Sequence, residues 1–112
     1  MYKANSQGLG KEIDAMKYER TSLLNELQGM AIREAHEIKT LIKQIENYET
    51  RIIPSLKKNY ETLMIAYEEN KEELPEVIDA WETLNETQMQ YLDTVQKYYE
   101  TIVNYEKILE KE

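Results

Sequence analysis

Cysteine and phenylalanine are absent from this chain, and glycine occurs only three times and proline twice in 112 residues. Without cysteine there is no disulfide framework and no thiolate metal site, and either redox compartment is permitted. So few breakers exclude a loop-rich or turn-rich fold, and alternating β-branched runs bounded by turn residues do not occur. A basic excess is also missing. Fourteen Lys and Arg stand against 22 Asp and Glu, a formal charge of −8. Nucleic-acid binding needs a basic stripe that displaces counterions, so nucleic acid is excluded as a partner, and an anionic membrane surface is disfavoured for the same reason. No apolar run approaches the length of a membrane span. The polar start, Met1-Tyr2-Lys3-Ala4-Asn5, does not read as a signal peptide.

What is present is a palette of helix formers: Glu, Lys, Leu, Ile, Gln and Tyr. The fold class is therefore all-α. From about Leu9 a helical pattern runs for roughly 60 residues. Its apolar positions are Leu9, Ile13 and Met16, then Leu24, Leu27 and Ala31, then Ile38, Leu41, Ile45, Tyr48 and Ile52. The last five alternate steps of three and four, the spacing of a coiled-coil seam. Two successive steps of four, Ile52 to Leu56 to Tyr60, shift the register beside Pro54. Proline lacks the amide for the helical ladder, so a bend is expected there, with a full break into a three-helix bundle as the alternative.

The stretch Glu68-Glu69-Asn70-Lys71-Glu72-Glu73-Leu74-Pro75 has no apolar period and reads as the turn of a hairpin. Asn70 tolerates the left-handed backbone that ends helices. Leu74 is biased out of the helical region by the proline after it, and Pro75 suits a first helical position. Glu72, Glu73 and Glu76 carry the negative charge that a helix N-terminus favours. The second helix then follows a strict seam: Val77, Trp81, Leu84, Gln88, Tyr91, Val95, Tyr98, Ile102, Tyr105 and Leu109. A flanking row at Ile78, Leu92 and Tyr99 widens its apolar face, so more than one neighbour is expected. The expected organisation is a single antiparallel coiled-coil hairpin with helices over 9–68 and 76–110 and a turn over 69–75. Its arms, roughly 90 and 50 Å long at 1.5 Å per residue, are unequal. Leu23, Leu24, Leu27 and Ile32 then lack a partner inside the chain. Isolated helices gain little from propensity alone. Either the chain is a fragment of a larger protein or it self-associates, unless it folds back at Gly29 or Pro54.

No constellation points to catalysis. General acid–base chemistry needs a concave, water-poor pocket, and a two-helix rod offers none; no Gly-rich phosphate loop, nucleophile elbow or HExxH motif occurs. His36, the single histidine, shares its helical face with Ile32, Arg33, Lys39 and Thr40, none of them a usual zinc ligand, so no metal site and no cofactor are expected. The five methionines do not cluster and read as seam fillers. The tyrosines and Trp81 on the seam read as core packing with polar tips at its edge. The acids of 68–79 read, on residue chemistry alone, as a solvated turn with a favourable helix-dipole arrangement.

At the turn, Tyr67, Asn70, Leu74 and the run Val77-Ile78-Asp79-Ala80 reproduce a recurring pattern. Upstream stands Tyr48-Glu49-Thr50-Arg51-Ile52-Ile53-Pro54, and downstream the pair Tyr91-Leu92. With these motifs the chain resembles the TolC family of outer-membrane efflux proteins, in the branch of metal and drug exporters. Tyr2-Lys3-Ala4 is similar to the segment where that family's chain leaves its β-barrel. The resemblance implies a piece of a homotrimeric channel of the Gram-negative outer membrane and periplasm. Such a channel exports drugs or metal ions together with an inner-membrane pump and a periplasmic adaptor. It implies Glu76 and Asp79 at the pore entrance, and Tyr67, Asn70, Lys71, Glu72, Glu73 and Leu74 at a tip that meets the adaptor. Two positions depart from the family: Asn70 replaces the glycine of the turn, and Glu72 stands where a basic partner of the tyrosine is found. The alternative to a channel segment is a free-standing coiled-coil scaffold.

Overall fold

The computed structural model describes the backbone of residues 2–111 and the side chains of residues 10–111. Met1 and Glu112 lie outside the described residues, as do the side chains of Tyr2-Lys3-Ala4 and of Leu9, a seam position. Among those described there are no strands. Helix α1 covers Tyr2–Asn47, a five-residue π-helical turn covers Tyr48–Ile52, α2 covers Ile53–Glu68, and α3 covers Leu74–Lys111. The first three follow one another without a break. Their 46, five and 16 residues amount to roughly 100 Å at 1.5 Å per residue. The Cα atoms extend over 99 × 20 × 14 Å. One arm therefore spans the whole molecule, and α3 returns along part of it. This is the all-α hairpin with unequal arms; a three-helix bundle would be far shorter.

Pro54 neither breaks the rod nor folds it back. Just before it the helix widens by one residue, and the Ile53 amide donates to the carbonyl of Tyr48 five residues earlier. The widened turn has two causes that coincide. Proline has no amide to give and crowds the carbonyl of the turn below it. The seam also carries one residue more than a heptad there, which a π-bulge absorbs. Thr50 Oγ1 donates to the Glu46 carbonyl at 2.7 Å within this irregular stretch. Ile52, Leu56, Tyr60 and Leu63 consequently all stay half-buried on the inner face.

The antiparallel register is fixed by side chains at successive levels. Ile108 packs on Leu27 and Ala31, with Tyr105 beside them. Lys97 Nζ lies 3.3 Å from Glu37 Oε1. Tyr91 meets Tyr48 edge to face, ring centroids 5.9 Å apart. Nearer the turn, Ala80 and Asn59 border the same hollow. Leu41, at 2% exposure, is the most deeply buried large side chain. Burial of such side chains contributes roughly 1.5–3 kcal/mol each, whereas an exposed ion pair contributes about 0–1 kcal/mol. The seam holds the hairpin, and the Lys97–Glu37 pair adds little.

Two expectations are corrected. Leu27 does not lack a partner: α3 runs far enough for Ile108 to bury it. Ile13, Met16 and Leu23 do stand exposed beyond the end of α3, and Ile32 is exposed because it points away from the seam. The second correction concerns the roll of α3. Trp81 is 51% exposed and Leu109 also faces outward, while Ala80 and Ile108, each one residue earlier, are buried. Thr101 likewise lies deeper than Ile102. The inward face of the helix thus runs through Val77, Ala80, Leu84, Thr101 and Ile108. Buried Thr101 satisfies its hydroxyl by donating to the Lys97 carbonyl at 2.7 Å.

Candidate functional site: the hairpin tip

Helix α2 ends in a Schellman arrangement. Asn70 adopts φ 60°; its amide donates to the Tyr67 carbonyl at 3.0 Å, and the Lys71 amide donates to the Ala66 carbonyl at 2.8 Å. Both carbonyls would otherwise be orphaned at a helix end. Asparagine reaches this backbone because its short polar side chain tolerates the left-handed region better than other non-glycine residues do. The turn is thus complete without a glycine.

Beyond the turn, Glu73 N–H donates to Glu72 Oε1 at 3.2 Å, and the Glu76 amide donates to the Glu73 carbonyl at 3.2 Å. Helix α3 starts at Leu74, two residues before the expected boundary. Pro75 therefore occupies the second helical position rather than the first. Nothing is lost there, because the first four amides of a helix have no intrahelical acceptor. Glu76 lies in the first turn, where its charge favours the positive end of the helix dipole. Lys71 Nζ pairs with Glu69 at 3.2 Å, within the turn itself.

Of the residues singled out from the sequence, the fold brings Glu76 and Asp79 together. They line one hollow of about 230 Å³ with Leu56, Asn59, Leu63, Ala80 and Thr83. It is an open groove between the two arms, just below the turn. Tyr67, Asn70, Lys71, Glu73 and Leu74 are exposed around the tip, and Glu72 is half-buried; none of them lines that groove. The site thus divides into a polar cap and a carboxylate-edged groove. Among the described residues no group of three or more His, Cys, Asp or Glu side chains is placed to hold a metal ion, and His36 is exposed. Among the described residues no helix is long and apolar enough to cross a membrane.

No known protein family, curated protein or solved structure matches this chain. What the tip can do is therefore read from its chemistry: a fixed turn, a carboxylate-rich cap, and an acidic groove on one side.

A second polar feature escaped sequence reasoning. Tyr91 Oη donates to Glu49 Oε1 at 2.6 Å, tying α3 to the π-turn. That hydrogen bond to a carboxylate is the main cause of a phenol pKa raised above the usual range, with desolvation and the negative charge of Glu49 adding to it. A hollow of about 410 Å³ opens beside the pair, edged by Ile53, Lys57, Gln88 and Leu92. The signal that finds the pair is register: Tyr91 and Glu49 lie equally far from the turn.

Proposed function

We propose that this hairpin is a wall element of a TolC-like trimeric efflux channel, standing in the periplasm and exporting drugs or metal ions with an inner-membrane pump and an adaptor. The observation that carries the reading is the 99 Å rod, doubled by α3 over part of its length, with apolar side chains left on its outward faces, Ile32, Ile65, Leu92, Tyr99 and Val103 among them. Contiguous exposed apolar surface marks a site of assembly, and a straight rod wet on every side has no use for it. In this reading the polar cap from Tyr67 to Leu74 meets the adaptor. Glu76 and Asp79, on the opening turns of α3, line the entrance and select for cations by charge. The motifs around Tyr67 and Pro54 support the same assignment by resemblance.

The parent channel tests it. Glu76→Lys with Asp79→Lys should lower cation conductance and weaken block by divalent cations in single-channel recordings. Recordings identical to those of the parent would remove both residues from an entrance. A free-standing scaffold remains the competing reading, favoured by the uncovered Ile13, Met16 and Leu23 at the far end of α1. Normal export by a channel whose hairpin is replaced with an unrelated coiled coil would favour it.

A further inference from the structure

The outward face of α3 carries a second heptad pattern that packing within the chain leaves largely uncovered. Ile78, Asn85, Leu92 and Tyr99 follow one another at steps of seven, and Met89, Gln96 and Val103 lie four residues after the last three of them. Most of this row is open to solvent: Leu92 is 56% exposed and Tyr99 62%. The residue after each member of the first set is an acid, giving Asp79, Glu86, Asp93 and Glu100, again at steps of seven. All four are exposed; Asp79 also edges the groove between the arms, and Glu100 Oε1 accepts from Gln96 Nε2 at 3.2 Å. Among the described residues none of them is in an ion pair, and Lys97, four residues after Asp93, is directed across the seam to Glu37. Glu82, Asn85 and Gln96 interrupt the row, and its apolar members Ile78, Met89, Leu92, Tyr99 and Val103 form a stripe edged on one side by acids, the kind of flanking charge that chooses a coiled-coil partner.

We infer that the outer face of α3 docks a basic amphipathic helix, about four heptads long, whose Lys or Arg side chains recur every seven residues against the acid ladder. The charge decides between occupants. A second copy laid on this face through its own α3 would set carboxylate ladder beside carboxylate ladder, and like charges at such an interface oppose pairing. A helix with cations at those positions satisfies the ladder and covers Leu92, Tyr99 and Val103 at once.

The test uses the full chain and two synthetic peptides of about four heptads, alike in Leu and Ile at the seam, one with Lys and the other with Glu at the flanking positions. Trp81, half-exposed and three residues from Ile78, reports binding by its fluorescence. The Lys peptide should bind, with an affinity that falls as salt rises, and the Glu peptide should not. Asp93→Lys with Glu100→Lys should weaken the Lys peptide by about tenfold or more and create binding of the Glu peptide. Glu86→Lys with Asp93→Lys repeats the reversal, and circular dichroism checks that each variant is folded. Equal binding of both peptides, binding of neither, or indifference to both reversals overturns the assignment. So does a dimer of the chain alone that Leu92→Glu dissolves, since a second copy then owns this face.

Discussion

Asn70 is the point on which the hairpin reverses, and its backbone gives the sharpest perturbation. At φ 60° a side chain other than Gly, Asn or Asp meets its own carbonyl, at a cost of roughly 1–2 kcal/mol. Asn70→Ala should therefore destabilise the hairpin by about 1 kcal/mol, because asparagine already bears part of that strain. Asn70→Gly removes the strain but loosens the unfolded chain by about 0.5–1 kcal/mol, so it should match the parent or exceed it by a few tenths. Urea unfolding followed by helical circular dichroism reads the difference. With a slope near 2 kcal/mol per molar, the alanine midpoint should fall by about 0.5 M. Glu69, at φ −88°, serves as control; Glu69→Ala removes an exposed ion pair and should shift stability by less than about 0.5 kcal/mol. An alanine variant at Asn70 as stable as the parent, or a control that falls equally far, would refute a left-handed turn at this residue.

The remaining predictions address the seam and its edges. Leu41→Ala should cost about 2–3 kcal/mol in the same assay, while Ile13→Ala, on the uncovered end of α1, should leave the midpoint unchanged. Gly29→Ala should stabilise the hairpin by about 0.5–1 kcal/mol, since a Cβ there meets nothing within 4 Å; a lower midpoint would reveal a close neighbour at that position. In an alkaline titration followed by ultraviolet absorbance, Tyr91 should ionise above the ordinary tyrosine range, and Tyr91→Phe should abolish that late component. Because its folded pKa is raised, its contribution to stability is complete below the ordinary tyrosine range. That contribution is lost as pH climbs through the raised value. Sedimentation at rising concentration should show self-association through the uncovered end of α1, suppressed by Leu23→Glu with Leu24→Glu; an unchanged dimer in that variant would move the contact elsewhere.

The helices, the turn and most of the seam were legible in the sequence because each rests on a local rule. Heptad spacing announced α3, and an asparagine between two periodic stretches marked the reversal. The π-turn was half legible. Two steps of four and a proline said that the register changes near Ile52, but the same signs fit a bend, a break or a widened turn. Only the energetics of keeping Leu56, Tyr60 and Leu63 on the inner face selects the last. The roll of α3 was not legible, because Ala80 and Trp81, like Ile108 and Leu109, are neighbouring apolar residues that serve a seam equally well. At the first pair the smaller residue lies inward; at the second the two side chains are equal in size and only the roll of the whole helix decides. At the site, the pairing of Glu76 with Asp79 followed from helical spacing. The Tyr91–Glu49 bond needed the register that the reversal at Asn70 sets, which the periodicity of either helix alone does not show.

The central structural claim is that α1, the π-turn and α2 form one uninterrupted rod across Pro54. The chain has no cysteine of its own, so spin labels at Glu26→Cys and Glu61→Cys can be placed without background, both at exposed positions. Their separation by pulsed electron–electron double resonance should be about 50 Å, the length of the intervening helix. A distance near 33 Å, expected where α2 folds back along α1 at Pro54, would contradict it.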